Sequence, residues 1–143
     1  MKFRPYSKLI LIIALSHFTG ILPIANAANW SQWRGANRDG TVAGKLWPAD
    51  LKNQHLKLKW RVELGSSYSG PILDADTLYV TESAGNNEVV RALDRKNGKE
   101  KWRYQWAGKM SVPFFARSNG SWIRSTPALA NNKLFVAGIR DHL

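Results

Sequence analysis

Ser69-Gly70-Pro71-Ile72-Leu73-Asp74-Ala75-Asp76-Thr77-Leu78-Tyr79-Val80-Thr81 returns 56 positions later (69 to 125) as Ser125-Thr126-Pro127-Ala128-Leu129-Ala130-Asn131-Asn132-Lys133-Leu134-Phe135-Val136-Ala137. A repeat unit of this size cannot bury its own apolar face, so the period implies stacked copies that share a core. The first copy runs on through Ala92-Leu93-Asp94 and Gly98 to Trp102, whereas the second reaches Leu143 without such a continuation. The chain therefore reads as the front end of a larger repeat protein.

Outward from the first copy, short strands follow at close spacing. Gly70 to Leu73 is expected to be a first strand, and Asp74-Ala75-Asp76 turns into a second at Thr77 to Thr81. Gly85-Asn86-Asn87 and Arg95-Lys96-Asn97-Gly98 are turn signals before strands at Glu88 to Leu93 and Glu100 to Trp106. Upstream, Leu56, Leu58, Trp60, Val62 and Leu64 alternate with Lys57, Lys59, Arg61 and Glu63, which predicts a lone strand over 56–64 with one buried face. Its three cations suit a solvated edge. No sustained helical period appears after Ala27. The expected fold is all-β.

A second period supports a blade. Lys57-Leu58-Lys59-Trp60-Arg61-Val62 matches Lys99-Glu100-Lys101-Trp102-Arg103-Tyr104 at an offset of 42 (60 to 102). A four-stranded propeller blade recurs at about 40–45 residues. The longer and shorter offsets agree if the chain carries an insertion within Ala107 to Arg124. The organisation expected is a signal peptide at 1–27, a leader at 28–55, a lone strand at 56–64, a complete blade at 69–106, an inserted loop at 107–124 and a truncated blade at 125–143.

Ala92, Asp94, Gly98 and Trp102 fit A-x-D-x-x-x-G-x-x-x-W, and each position has a physical task. A small Ala92 permits tight packing, Asp94 accepts turn N–H groups, Gly98 supplies a positive φ, and Trp102 offers a flat face to a neighbour. The pattern resembles the tryptophan-docking motif of the pyrroloquinoline-quinone-like β-propeller repeat family. Trp30 to Gly40 is similar to a segment just after the signal in exported bacterial members, and Ser111 to Arg124 is likewise similar to theirs. The resemblance implies a partial β-propeller of four-stranded antiparallel blades, one complete and its neighbours in part. It also implies that further blades are needed to close a ring.

The first residues are read separately from the fold. Lys2, Arg4 and Lys8 precede an apolar run from Leu9 to Leu15, and Ala25-Asn26-Ala27 offers small residues for cleavage after Ala27. This is the pattern of a secretory signal peptide, implying a periplasmic or secreted protein. The apolar stretch is interrupted by His17, Thr19, Gly20 and Pro23 and falls short of the ~20 residues of a spanning helix. No transmembrane anchor is therefore expected once the signal is removed. The chain has a formal charge of +11, from 21 Lys and Arg against 10 Asp and Glu. That sign favours anionic surfaces, polysaccharides or phosphates, but the cations are scattered, which reads as solubility and not as a nucleic-acid stripe.

With no cysteine in the chain, disulfides, thiolate metal sites and thiol catalysis are excluded. The family resemblance implies quinone and calcium as cofactors only by name. Quinone-dependent dehydrogenases of that family need a calcium with oxygen ligands, a basic residue and a carboxylate base, and many carry adjacent cysteines. No such set can be assembled here. Asp74 and Asp76 read as turn formers, His55 and His142 stand without triad partners, and Gly35, Gly40 and Gly44 lack the strand and helix of a phosphate loop. Arg34, Arg38 and Asp39 read either as an anion pocket or, since arginines beside tryptophans commonly stack on them, as structural contacts.

The inserted loop is the expected place for specificity. Phe114, Phe115, Arg117, Trp122 and Arg124 mix aromatics and cations on a rigid scaffold, either as a binding surface or as a cap folded onto the sheet. The reading is thus an exported, non-catalytic binding or scaffold module with a protein or cell-envelope partner. It resembles propeller lipoproteins that assist outer-membrane barrel assembly, without their lipid-bearing cysteine. The alternative is the first part of a quinone- and calcium-dependent oxidoreductase whose catalytic residues lie beyond Leu143.

Overall fold

The computed structural model describes residues 29–42 and 49–140. The signal-peptide reading, Gly44, Trp47 and His142 lie outside the described residues. Four strands form one antiparallel sheet in chain order: β1 (Ile72–Leu73), β2 (Thr77–Ala84), β3 (Asn87–Asp94) and β4 (Glu100–Ala107). A second sheet is a hairpin of β5 (Ala128–Ala130) and β6 (Lys133–Phe135). Two short 3-10 turns, Asn53–His55 and Phe114–Asn119, complete the elements. The chain is all-β, with one four-stranded blade and the opening hairpin of a second.

The repeat is visible at the level of register. Ile72 and Leu73 of β1 correspond, one repeat later, to Ala128 and Leu129 of β5, and Thr77 at the start of β2 corresponds to Lys133 at the start of β6. The reversals differ in build. The first is an Ala75-Asp76 turn closed by Asp74 N to Thr77 O at 2.9 Å, with neither residue at positive φ. The second is a two-residue Asn131-Asn132 turn with φ of 50° and 57°, the pair of positive values that an asparagine tolerates best among residues with a side chain.

Residues two apart on one strand share a face, so the register separates the blade into two surfaces. Val89, Arg91 and Leu93 lie with Val80 and Glu82 on one; Glu88, Val90 and Ala92 lie with Tyr104 and Trp106 on the other. Val89, Val90, Ala92 and Leu93 are all buried, so β3 is covered on both faces. That explains why apolar residues stand on both sides of Arg91, at Val89-Val90 and at Ala92-Leu93. The segment around Trp60 to Gly65 covers the first face: Glu63 O accepts from Arg91 at 3.1 Å, and Gly65 N donates to Glu82 at 2.7 Å. The chain leading into and out of the second hairpin covers the other, where Ile123 is fully buried.

The expected strand over 56–64 does not form. Leu56, Leu58 and Leu64 are exposed, while Trp60 and Val62 turn toward the blade. The alternation encodes which side chains face inward, but a strand also needs a backbone partner. Among the described residues this segment finds none; just beyond it, Ser66 makes a single bridge to Ser83.

Candidate functional site

The A-x-D-x-x-x-G-x-x-x-W positions form a turn and its receiving surface. The Asp94 carboxylate accepts from Lys96 N at 2.8 Å and Asn97 N at 3.2 Å, satisfying turn donors that would otherwise lack partners. Gly98 has φ of 72°, and a β-carbon there would stand 2.6 Å from Trp60. The Trp60 indole lies over this glycine and donates Nε1 to Arg95 O at 3.0 Å. Ala92 is fully buried opposite Trp102, which leans on Tyr79 with ring centroids 5.9 Å apart. Trp60 and Trp102 are equivalent in the shorter period, yet Trp60 sits on a glycine turn and Trp102 remains 43% exposed. The alternation around Trp60 carries no mark of the turn that receives it. Gly98, legible in the sequence as a source of positive φ, is the available signal.

The joint between blade and second hairpin uses polar atoms at repeat-related places. Gly70 N donates to Thr126 Oγ1 at 3.1 Å, a bond between residues one repeat apart. Tyr68 N donates to Ile123 O at 2.9 Å, and Ile123 N donates to Ser83 Oγ at 3.1 Å. Glu88, almost wholly buried, accepts from Trp106 Nε1 at 2.8 Å and Ile139 N at 3.0 Å. Both its oxygens accept hydrogen bonds there.

The leader, which has no readable periodicity, is tied into the same joint. Trp30 exchanges both backbone hydrogen bonds with Leu73 at 2.8 Å, and Leu129 N donates to Ser31 O at 2.7 Å. Leu73 and Leu129 are repeat equivalents, so one short peptide bonds the free edges of both opening strands. Trp30 also packs on Gly35, whose φ is 78°. Arg34 lies over Trp33, Arg38 donates to Gln32, and Asp39 accepts from Thr41 N and Oγ1, which holds its carboxyl below the usual range.

The inserted loop is divided by the structure. Phe114 and Phe115 head the second 3-10 turn, 82% and 77% exposed, with rings edge-to-face at 5.6 Å. Arg117 belongs to the same turn. Trp122 instead is half-buried against Tyr68, with centroids 5.3 Å apart, and Arg124 lies 4.7 Å over the same Tyr68 ring. Phe114, Phe115 and Arg117 form a projection, while Trp122 and Arg124 form its footing.

Elsewhere the acidic groups are engaged locally. Asp74 accepts from Ala75 N, and Asp76 accepts from Thr77 Oγ1 and pairs with Lys101 at 3.3 Å. His55 contacts Asp50 O at 2.8 Å. Among the described residues no group of three His, Cys, Asp or Glu gathers as a metal site, and no helix is long and apolar enough to cross a membrane.

A four-stranded antiparallel meander whose β3–β4 turn receives a tryptophan from the preceding repeat, followed by a second opening hairpin, defines a β-propeller repeat protein. The model of the family described as outer membrane protein assembly factor BamB, built of PQQ-like repeats, matches residues 46–141, and the chain belongs to that family. Neither the comparison with curated proteins nor that with solved structures found a match.

Proposed function

We propose that this protein is an exported, non-catalytic propeller module of the cell envelope, which presents the Phe114–Phe115 turn to a protein partner. The observation that carries the reading is the pair of phenylalanines at 82% and 77% exposure, held outward on a short 3-10 turn that also contains Arg117. Isolated exposed apolar residues are ordinary, but two adjacent aromatics with a neighbouring arginine have the composition of an interface anchor. The family description, an outer membrane protein assembly factor, favours a protein partner in the envelope. The signal-like segment from Met1 to Ala27 favours the same compartment. The alternative is an oxidoreductase using quinone and calcium, drawn from the family resemblance.

Placing a photo-crosslinking residue at Phe115 in cells that make the full chain tests the first reading. A discrete protein adduct that disappears with Phe114→Ser, while an exposed control position such as Leu58 gives none, supports it. Equal labelling from both positions counts against it. Dye reduction by the purified protein with added quinone and calcium would establish the enzyme reading instead.

A further inference from the structure

Two adjoining clefts flank the leader turn. One, of about 580 Å³, is walled by Trp30, Trp33, Arg34, Leu73 and Arg95; the other, of about 490 Å³, is walled by Tyr68 and Arg124. Both share Trp33, Gly70 and Thr126. Both are open to solvent, so a ligand would lie along them and not be enclosed. Three guanidinium groups reach this space and no carboxylate lines it. Among the described residues none of the three arginines forms an ion pair. Arg34, Arg95 and Arg124 donate only to the backbone carbonyls of Asp39, Ala75 and Gly120. The nearby Asp39 carboxylate is committed to Thr41.

Two of these cations are already oriented. Arg34 lies 5.5 Å from the Trp33 centroid and Arg124 lies 4.7 Å from that of Tyr68. A guanidinium held over an aromatic ring still has in-plane N–H donors, beyond the one each of these gives to a backbone carbonyl, to turn onto an oxyanion. Trp33 is 62% exposed and stands two residues after Ser31, where the leader bonds to the second opening strand. Holding Arg34 and Arg38 at φ of 62° and 58° costs about 1 kcal/mol or more each, which the leader accepts to set this turn. An ordered, exposed indole next to unmatched guanidinium groups is organised before any ligand arrives.

We infer that these adjoining clefts bind an acidic saccharide, with a sugar ring against the shared Trp33 and carboxylates met by Arg34 in one cleft and by Arg124 in the other. The apolar walls and the open indole suit the C–H face of a pyranose ring; a bare phosphate would use the cations alone. The site is separate from the Phe114–Phe115 turn and does not depend on the function proposed for that turn.

Titration of the full chain with a galacturonic acid dimer, followed by tryptophan fluorescence and calorimetry at low ionic strength, tests it. Saturable binding is expected, at least tenfold tighter than for the uncharged galactose dimer or inorganic phosphate. Arg124→Gln and Trp33→Ala are each expected to weaken it about tenfold, the loss of one charge-assisted hydrogen bond or one stacking face. The double variant Lys57→Gln, Lys59→Gln removes exposed charge elsewhere and is expected to bind as the parent does, which separates a site from general attraction to a cationic protein. Circular dichroism confirms that each variant is folded. Absence of saturable binding, phosphate binding as tightly as the dimer, or equal weakening by the lysine variant would overturn the proposal.

Discussion

Gly98 shows how much of the blade rests on one residue. Its φ of 72° lies in the left-handed region, and its missing side chain is the space that Trp60 fills. Gly85 has a similar φ of 61° but no atom within 4 Å of where a β-carbon would stand. The pair separates backbone strain from packing. Gly85→Ala is expected to cost only the conformational part, about 1 kcal/mol. Gly98→Ala carries the same strain and must also displace the indole, so about 3 kcal/mol is expected, with loss of the Trp60 bond to Arg95 O. Urea unfolding of the two variants measures both. Similar losses would show that the seat of Trp60 on this glycine contributes nothing to the fold.

At the scale of the strands, a chain of charges ties the blade face to the segment before it. Arg91 on β3 meets Glu100 at 2.7 Å and Glu82 on β2 at 3.5 Å, and reaches Glu63 O. Arg103 on β4 holds the other oxygen of Glu100 at 2.6 Å. Hydrogen bonding from Arg103, and then from Arg91, keeps the Glu100 carboxyl below its ordinary value of 4.5. A depressed carboxyl contributes stability that is fully present above its unfolded value and is lost as pH falls through the folded one. Glu100→Gln is therefore expected to be less stable than the parent near neutral pH, with the difference shrinking below about 4.5. The urea midpoint followed across the acid range reads this directly, and a difference independent of pH would place the effect in shape and not in charge.

The same elements show what sequence reasoning reaches. The four blade strands were legible because their signals are local: alternation, paired turn residues, and a repeat that fixes register. The inward turn of Trp60 and Val62 was legible from alternation, but pairing of 56–64 was not, since a hydrogen-bonded partner is not written into the strand that needs one. In the inserted loop the residue types were visible and their division was not. Trp122 is held by Tyr68, more than fifty positions away, and Phe114 and Phe115 are exposed although composition alone allows either side. The leader was least legible. Its bonds to Leu73 and Leu129 are made by backbone atoms, which carry no residue signature.

For the whole molecule, the consequence lies on β4. It ends the sheet order, so its outer backbone edge has no strand partner among the described residues, and its side chains include Trp102 at 43% and Tyr104 at 66% exposure. An edge strand bearing aromatics invites pairing unless charge or cover prevents it. Cations are present here, with Lys101 and Arg103 beside the aromatics, but Lys101 is drawn to Asp76 and Arg103 to Glu100. Both are partly neutralised and guard the edge less than free charges would. Trp60, the equivalent of Trp102, shows the kind of surface such a tryptophan covers: a glycine turn on a neighbouring blade. The chain is therefore expected to associate as its concentration rises, with the Trp102–Tyr104 face against another blade. Sedimentation velocity over a hundredfold concentration range reads the association. Trp102→Lys with Tyr104→Lys is expected to return the chain to monomer while leaving its β-sheet circular dichroism unchanged. A parent that stays monomeric throughout, or a double variant that associates equally, would remove β4 as the contact surface.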